Sequence, residues 1–176
     1  MLVAGPNKKR VPEGDDRSRL VCDECGFVNY INPKIIVGTV SVHHNKFLLV
    51  KRDIEPRKGY WTIPAGFLEL GETVAEGAVR ETWEEARAKV TVGSLIGIYN
   101  ILHISQVYMV FRAVMQNSFH EAGPESQQSK LFLWDEIPWE HLAFPSVLWA
   151  LNNYKQMLGK EIVAPKFEPP NSYWDK

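Results

Sequence analysis

The chain has 176 residues, 45% of them hydrophobic and 23% charged, with a formal net charge of −1. That size suits one compact domain with short extra segments, and the near-zero charge leaves no global basic field to recruit nucleic acid. No apolar run approaches the ~18 residues of a membrane span, and no signal-like apolar core opens the chain. The expectation is a soluble protein of a reducing compartment, the cytoplasm ahead of a soluble organellar one.

Residues 1–19 carry Gly5, Pro6, Pro12 and Gly14 and few large apolar side chains, so they read as extended chain or loop. Cys22 and Cys25 are the only cysteines, too close and too few for a disulfide framework. Their C-x2-C spacing is half of a zinc-ribbon ligand set, and a tetrahedral site wants four donors. Residues 35–42 and 47–51 are β-branched and apolar runs parted by His43, His44 and Asn45, the turn of a predicted hairpin. The two histidines read as solvated, as do Arg57 and Lys58 of the loop 53–60. Residues 61–66 return as a short strand.

A helix starts at Thr73, which forms a T-x-x-E capping box with Glu76. Rotation of about 100° per residue sets Ala75, Val79, Thr82 and Ala86 in one apolar stripe, with Glu81, Glu84 and Glu85 in an arc on the far side. Three like charges that close repel unless a cation sits between them. Residues 66–88 hold no Cys or His, so a hard ion with oxygen ligands, Mg²⁺ or Mn²⁺ before Zn²⁺, is the expected remedy. Residues 89–104 and 106–115 read as strands of a mixed sheet, 117–129 as a loop and 131–134 as a short strand. Residues 146–158 read as an amphipathic helix that Gly159 can end. A proline-rich tail follows, with Phe167, Tyr173 and Trp174 available to dock on the domain or on a partner. The expected divisions are 1–33, 34–159 and 160–176.

Gly66, five residues, Glu72, seven residues and Arg80-Glu81-x-x-Glu84-Glu85 together resemble the signature of the Nudix hydrolases, G-x5-E-x7-R-E-U-x-E-E-x-G-U, U being bulky and apolar. The chain departs from it at position 87, which holds Arg in place of Gly, and Thr82 and Ala88 are weak choices for bulky positions. Residues 12–17, Cys22 to Gly26 and 32–38 resemble the small zinc ribbon that precedes certain Nudix domains, without its upstream cysteine pair. Two readings stand for that segment: a ribbon decayed into a packed hairpin, or one whose missing pair came from a longer chain. The resemblance implies an α/β/α sandwich around a mixed sheet, with Cys22 and Cys25 as zinc candidates in the degenerate segment before it.

The resemblance also implies roles. Glu81, Glu84 and Glu85 would hold Mg²⁺ or Mn²⁺, supported by Glu72 and by the backbone oxygen of Ala65. Arg80, four residues from both Glu76 and Glu84, would orient a glutamate. A further glutamate from a loop outside the signature would act as ligand or general base, and Glu125 is preferred over Glu121. At Arg87 either the helix ends in a strained left-handed residue or it runs on, and reduced stability is expected in place of a dead site. The implied reaction is metal-dependent hydrolysis of a nucleoside diphosphate linked to another moiety. FAD, cleaved to FMN and AMP, or ADP-ribose leads, ahead of NADH or dinucleotide polyphosphates; a nucleotide-sensing module without hydrolysis is the alternative of another class. Trp61, Phe67 and Tyr99 are candidates to stack on a flavin or adenine ring. The expected partner is a small nucleotide, with no nucleic acid or membrane, and a homodimer is a family option.

Overall fold

The computed structural model describes residues 5–160 and 165–168. The chain divides into two compact units, residues 1–33 and 34–176. In the first, β1 (Lys8–Arg10), β2 (Arg19–Val21) and β3 (Val28–Asn29) form an antiparallel sheet in that order. The tight turn after β2 is closed by the Gly26 amide, which donates to the Cys22 carbonyl at 2.9 Å, with Gly26 at φ 74°. Lys8 of β1 pairs with Asp23 of that turn at 2.7 Å, and Arg19 at the start of β2 pairs with Asp15 at 3.0 Å.

The larger unit is built on the hairpin of β4 (Lys34–His43) and β5 (Lys46–Arg52), then β6 (Trp61–Thr62), β7 (Ala65–Phe67) and helix α1 (Val74–Ala86). It continues with β8 (Val90–Ile101), β9 (Gln106–Met115), β10 (Ser126–Phe132), helix α2 (Pro145–Met157) and β11 (Lys166–Glu168). The sheet runs β10-β5-β4-β9-β8-β11, and it is mixed: β4 with β9 and β8 with β11 are parallel, the other pairs antiparallel. Strand β4 is shared at its ends. Val42 and His43 pair with β5, while Ile36, Val37 and Gly38 pair with β7. Between them the Thr39 amide donates to the Pro64 carbonyl at 3.1 Å, so β5 and β7 fork from a single strand beside α1.

Alternation along β5 assigns the two faces, because successive side chains of a strand point to opposite sides. Phe47 and Leu49 join Val147, Ala150, Leu151 and Tyr154 of α2 in one core cluster, and Leu48 and Val50 join Ala86 of α1 in another. Helices therefore cover both faces of a mixed sheet, the expected three-layer architecture.

Several local expectations are corrected. Helix α1 buries Gly77, Ala78, Glu81, Thr82, Glu85 and Ala86, whereas Val79 is 36% exposed. Glu81 and Glu85 are thus turned inward, while Glu84 stays exposed. The small residues Gly77 and Ala78 permit close approach to β4, and Thr82 Oγ1 meets both the Ala78 carbonyl and Thr39 Oγ1 at 2.7 Å, with Ser41 Oγ a further 2.7 Å from Thr39 Oγ1. Each buried hydroxyl in that chain is satisfied, so polar residues replace an apolar stripe without an unpaired group. Residues 126–129, expected as loop, belong to β10; as an edge strand it can leave Gln127 and Gln128 exposed, which hides its period. Residues 102–104 and Trp134 fall in 3₁₀ turns instead of strands. Helix α1 does end in a left-handed Arg87, at φ 50° and ψ 20°, its amide donating to the Trp83 carbonyl at 2.8 Å. Tyr173 and Trp174 lie outside the described residues. Among the described residues, no helix is long and apolar enough to cross a membrane.

Candidate active site

Arg80 is the hub of the acidic cluster. Its Nε and Nη2 donate to the two oxygens of Glu72 at 3.0 and 2.8 Å, and Nη2 also donates to the Phe67 carbonyl at 2.9 Å. Nη1 donates to Glu81 Oε1 at 2.8 Å and Glu84 Oε2 at 2.9 Å. One planar, permanently charged fork thereby draws three carboxylates together, which a lysine's single point charge could not do with the same geometry. Arg80 and the Glu69 amide hold the Glu72 carboxyl down at about 2. Glu76 is not part of this set and instead closes the capping box with Thr73.

Glu85 occupies the opposite environment. It is 6% exposed, and its Oε2 accepts a 3.0 Å hydrogen bond from the Ala65 amide. Burial pushes its carboxyl up to about 8, opposed by that amide and reinforced by the charge of Glu81. Burial likewise raises Glu81 above the usual carboxylate range, against the hydrogen bond from Arg80. Gly66 makes room for it, since a β-carbon there would overlap the Glu81 carboxyl group.

Glu125 reaches the cluster from a different part of the chain. Its charge raises both Glu81 and Glu85, so its carboxylate stands in their field. The loop is held by backbone bonds: Glu121 and Gly123 amides donate to the Ala86 and Glu85 carbonyls, each at 2.9 Å, and the Asp53 amide donates to the Glu125 carbonyl at 2.8 Å. Glu121 therefore caps the end of α1 through its backbone.

Glu81, Glu84, Glu85 and Glu125 offer oxygen donors alone, the set that a hard divalent cation prefers. A buried carboxyl raised as far as Glu85 is short of positive charge, which fits the same ion. As the side chains stand, Arg80 engages Glu81 and Glu84, and no three His, Cys, Asp or Glu side chains among the described residues close on one point. Glu84 is the side chain most easily turned from Arg80 to an ion, being 51% exposed.

The aromatic candidates separate by burial. Tyr99 is wholly buried, its hydroxyl accepting from Asn153 Nδ2 at 3.0 Å, so the expectation of a ligand-stacking ring there is corrected to a core role. Trp61 is half-buried and packs edge-on to Phe132 at 4.9 Å. Phe67 is 46% exposed, with the Lys34 ammonium 4.9 Å from its ring. Two residues in the field of Glu85 were not singled out along the chain. Tyr108 sits within an apolar strand, and Arg52 closes β5, where the Lys51-Arg52 doublet was the available hint; the positive charge of Arg52 acts on Glu85.

Cys22 is buried and Cys25 exposed, and they are not bonded to each other. The Cys25 and Glu24 amides hold the Cys22 thiol below its ordinary range. Two thiols do not make a structural zinc site, and no third acidic, histidine or cysteine side chain among the described residues joins them.

A three-layer fold with an arginine-gathered glutamate helix defines a class, and comparison with known proteins agrees. The family model for the NUDIX domain matches residues 33–149, and a second, for the zinc-ribbon segment called Nudix N-terminal, matches residues 4–31. The chain belongs to the Nudix hydrolase family. It is similar to the crystal structure of a NUDIX hydrolase from Nitrosomonas europaea, with 43% identity, 91% of each chain covered and a TM-score of 0.86. It is 31% identical over 115 residues to the ADP-ribose pyrophosphatase of Methanocaldococcus jannaschii, covering 62% of this chain and 67% of that protein. It is also 35% identical over 78 residues, 43% of its own length, to the NAD-capped RNA hydrolase NudC of Haemophilus influenzae, spanning 30% of that protein.

Proposed function

We propose that this protein hydrolyses the diphosphate bond of a nucleoside diphosphate linked to another moiety, with ADP-ribose or FAD as the leading substrates. The observation that carries this is the gathering of Glu72, Glu81 and Glu84 on one guanidinium, with Glu85 and Glu125 alongside. The M. jannaschii relative named ADP-ribose pyrophosphatase favours the first substrate. A divalent cation held by Glu81, Glu84, Glu85 and the Ala65 carbonyl, with Glu72 in support, would supply charge neutralisation to the diphosphate oxygens.

The remaining chemistry belongs to the chain. Arg80 and Glu72 hold the helix carboxylates in one arrangement before substrate arrives, which is the positioning that phosphoryl transfer chiefly needs. Glu125, on its own loop, is the carboxylate that accepts the proton of the attacking water. Phe67 offers an open ring face for the base or flavin. The homodimer is a further part of the proposal, as is cytoplasmic location.

The test is turnover of ADP-ribose, FAD, NADH and diadenosine tetraphosphate with Mg²⁺ or Mn²⁺, in the wild type and in Glu84→Gln. Hydrolysis of at least one compound, lowered about a hundredfold or more by the substitution, is expected. Tight binding without turnover of any of them would point instead to a nucleotide-sensing module.

A further inference from the structure

Tyr108 lies in β9 opposite Ile36 of β4 and is 7% exposed, yet its hydroxyl has no hydrogen-bond partner. Buried hydroxyls are nearly always paired, so an idle one calls for an explanation. Its location supplies one. A β-carbon placed at Gly38 would lie 2.9 Å from the Tyr108 hydroxyl, 2.7 Å from the Pro64 carbonyl oxygen and 2.5 Å from Ala65 Cβ. The absence of a side chain at Gly38 therefore lets the phenol oxygen come up beneath Ala65, the residue whose amide holds Glu85 at 3.0 Å. Among carboxylates acting on the phenol, Glu85 acts most strongly, ahead of Glu81.

We propose that Tyr108 is a positioning residue for Glu85, its O–H donating to that carboxylate, directly or through one buried water, when a divalent cation engages it. The inference rests on Glu85 being a cation ligand, as proposed above. A ligating carboxylate is oriented by hydrogen bonds to its remaining lone pairs, and such outer partners govern cation affinity although they never touch the ion. Among the described residues Glu85 has one such partner, the Ala65 amide, and Tyr108 is the unspent donor beside it. Without the cation the hydroxyl is idle, so removing it takes nothing from the cation-free fold. With the cation it is used.

Tyr108→Phe keeps the ring and deletes only the O–H. Mn²⁺ binding is measured by calorimetry on the whole chain, and the thermal midpoint is measured in EDTA. The expected result is an unchanged or raised midpoint in EDTA together with a Mn²⁺ dissociation constant about tenfold weaker. Adding Tyr108→Phe to Glu85→Gln should change Mn²⁺ affinity no further, since the tyrosine acts through that carboxylate. Unchanged Mn²⁺ affinity in Tyr108→Phe overturns the proposal, and so does an EDTA midpoint lowered as much as the affinity, which marks a merely structural hydroxyl. A wild type that binds no Mn²⁺ overturns the site itself, a result distinct from one in which only the variant behaves as wild type.

Discussion

The amide of Gly123 donates to the carbonyl of Glu85 at 2.9 Å, tying the loop that carries Glu125 to the last turn of α1. The contact is so close that a β-carbon at Gly123 would overlap the Glu84 carbonyl oxygen. Backbone meets backbone here, so neither side can yield by changing a rotamer. Gly123→Ala should therefore push the loop off the helix, destabilising the protein by about 1–3 kcal/mol. Because the shift also moves Glu125, turnover should fall about ten- to a hundredfold. Thermal midpoints and steady-state kinetics on one preparation check both; wild-type turnover in a destabilised variant would show that Glu125 does not need this tether.

Arg87 ends α1 in a conformation that glycine adopts freely and an ordinary residue does not. Arg87→Gly should remove about 1 kcal/mol of strain and raise the thermal midpoint by about 2–4 °C. The contact of Arg87 with the Trp83 ring, 5.7 Å from its centroid, would be lost, and at an exposed site it offsets only part of that gain. Glu81, Glu84 and Glu85 precede the change and keep their places, so turnover should stay within about twofold of wild type. A large gain in turnover would show that the left-handed arginine disturbs the carboxylates after all.

The Glu85 carboxyl, raised from an ordinary 4.5 to about 8, makes the cation-free protein sensitive to alkali. Between those values the folded chain binds more protons than the unfolded one, so the contribution is fully present below about 4.5 and fades as pH rises through 8. Urea midpoints measured in EDTA should therefore decline from pH 5.5 to pH 8.5 (working range of about three units). Saturating Mg²⁺ should flatten that decline, because the ion supplies the missing positive charge. A flat profile in EDTA would mean that Glu85 is ionised without a cation.

Much of the site was legible along the chain because its parts are local. Spacing of i+3 and i+4 brings Glu81, Glu84 and Glu85 onto one side of any helix, and the Thr73–Glu76 box marks where that helix begins. The hairpin at His43–Asn45 and the strand at residues 106–115 were equally plain, because β-branched runs with short turns between them need no distant partner to be read. Which way the helix faces was not legible. Val79, placed in the apolar stripe, is exposed, while Glu81 and Glu85 are buried, because α1 meets the sheet through Thr82, which bonds Thr39, and through the small residues Gly77 and Ala78.

By itself, then, the chain determined the helix, its cap and its three adjacent carboxylates, since all depend on residues within two or three turns of one another. Only the tertiary structure decided that Arg80 would reach back to Glu72, that Glu125 would arrive on a loop fastened at Gly123, and that Tyr108 would lie beneath Ala65. The last two join residues far apart in the chain, whereas Glu72 lies only eight residues before Arg80 but ahead of the N-cap Thr73, where helical spacing no longer places it. The distant contacts come from strand pairing, β4 forking between β5 and β7 so that separate segments meet beside the helix.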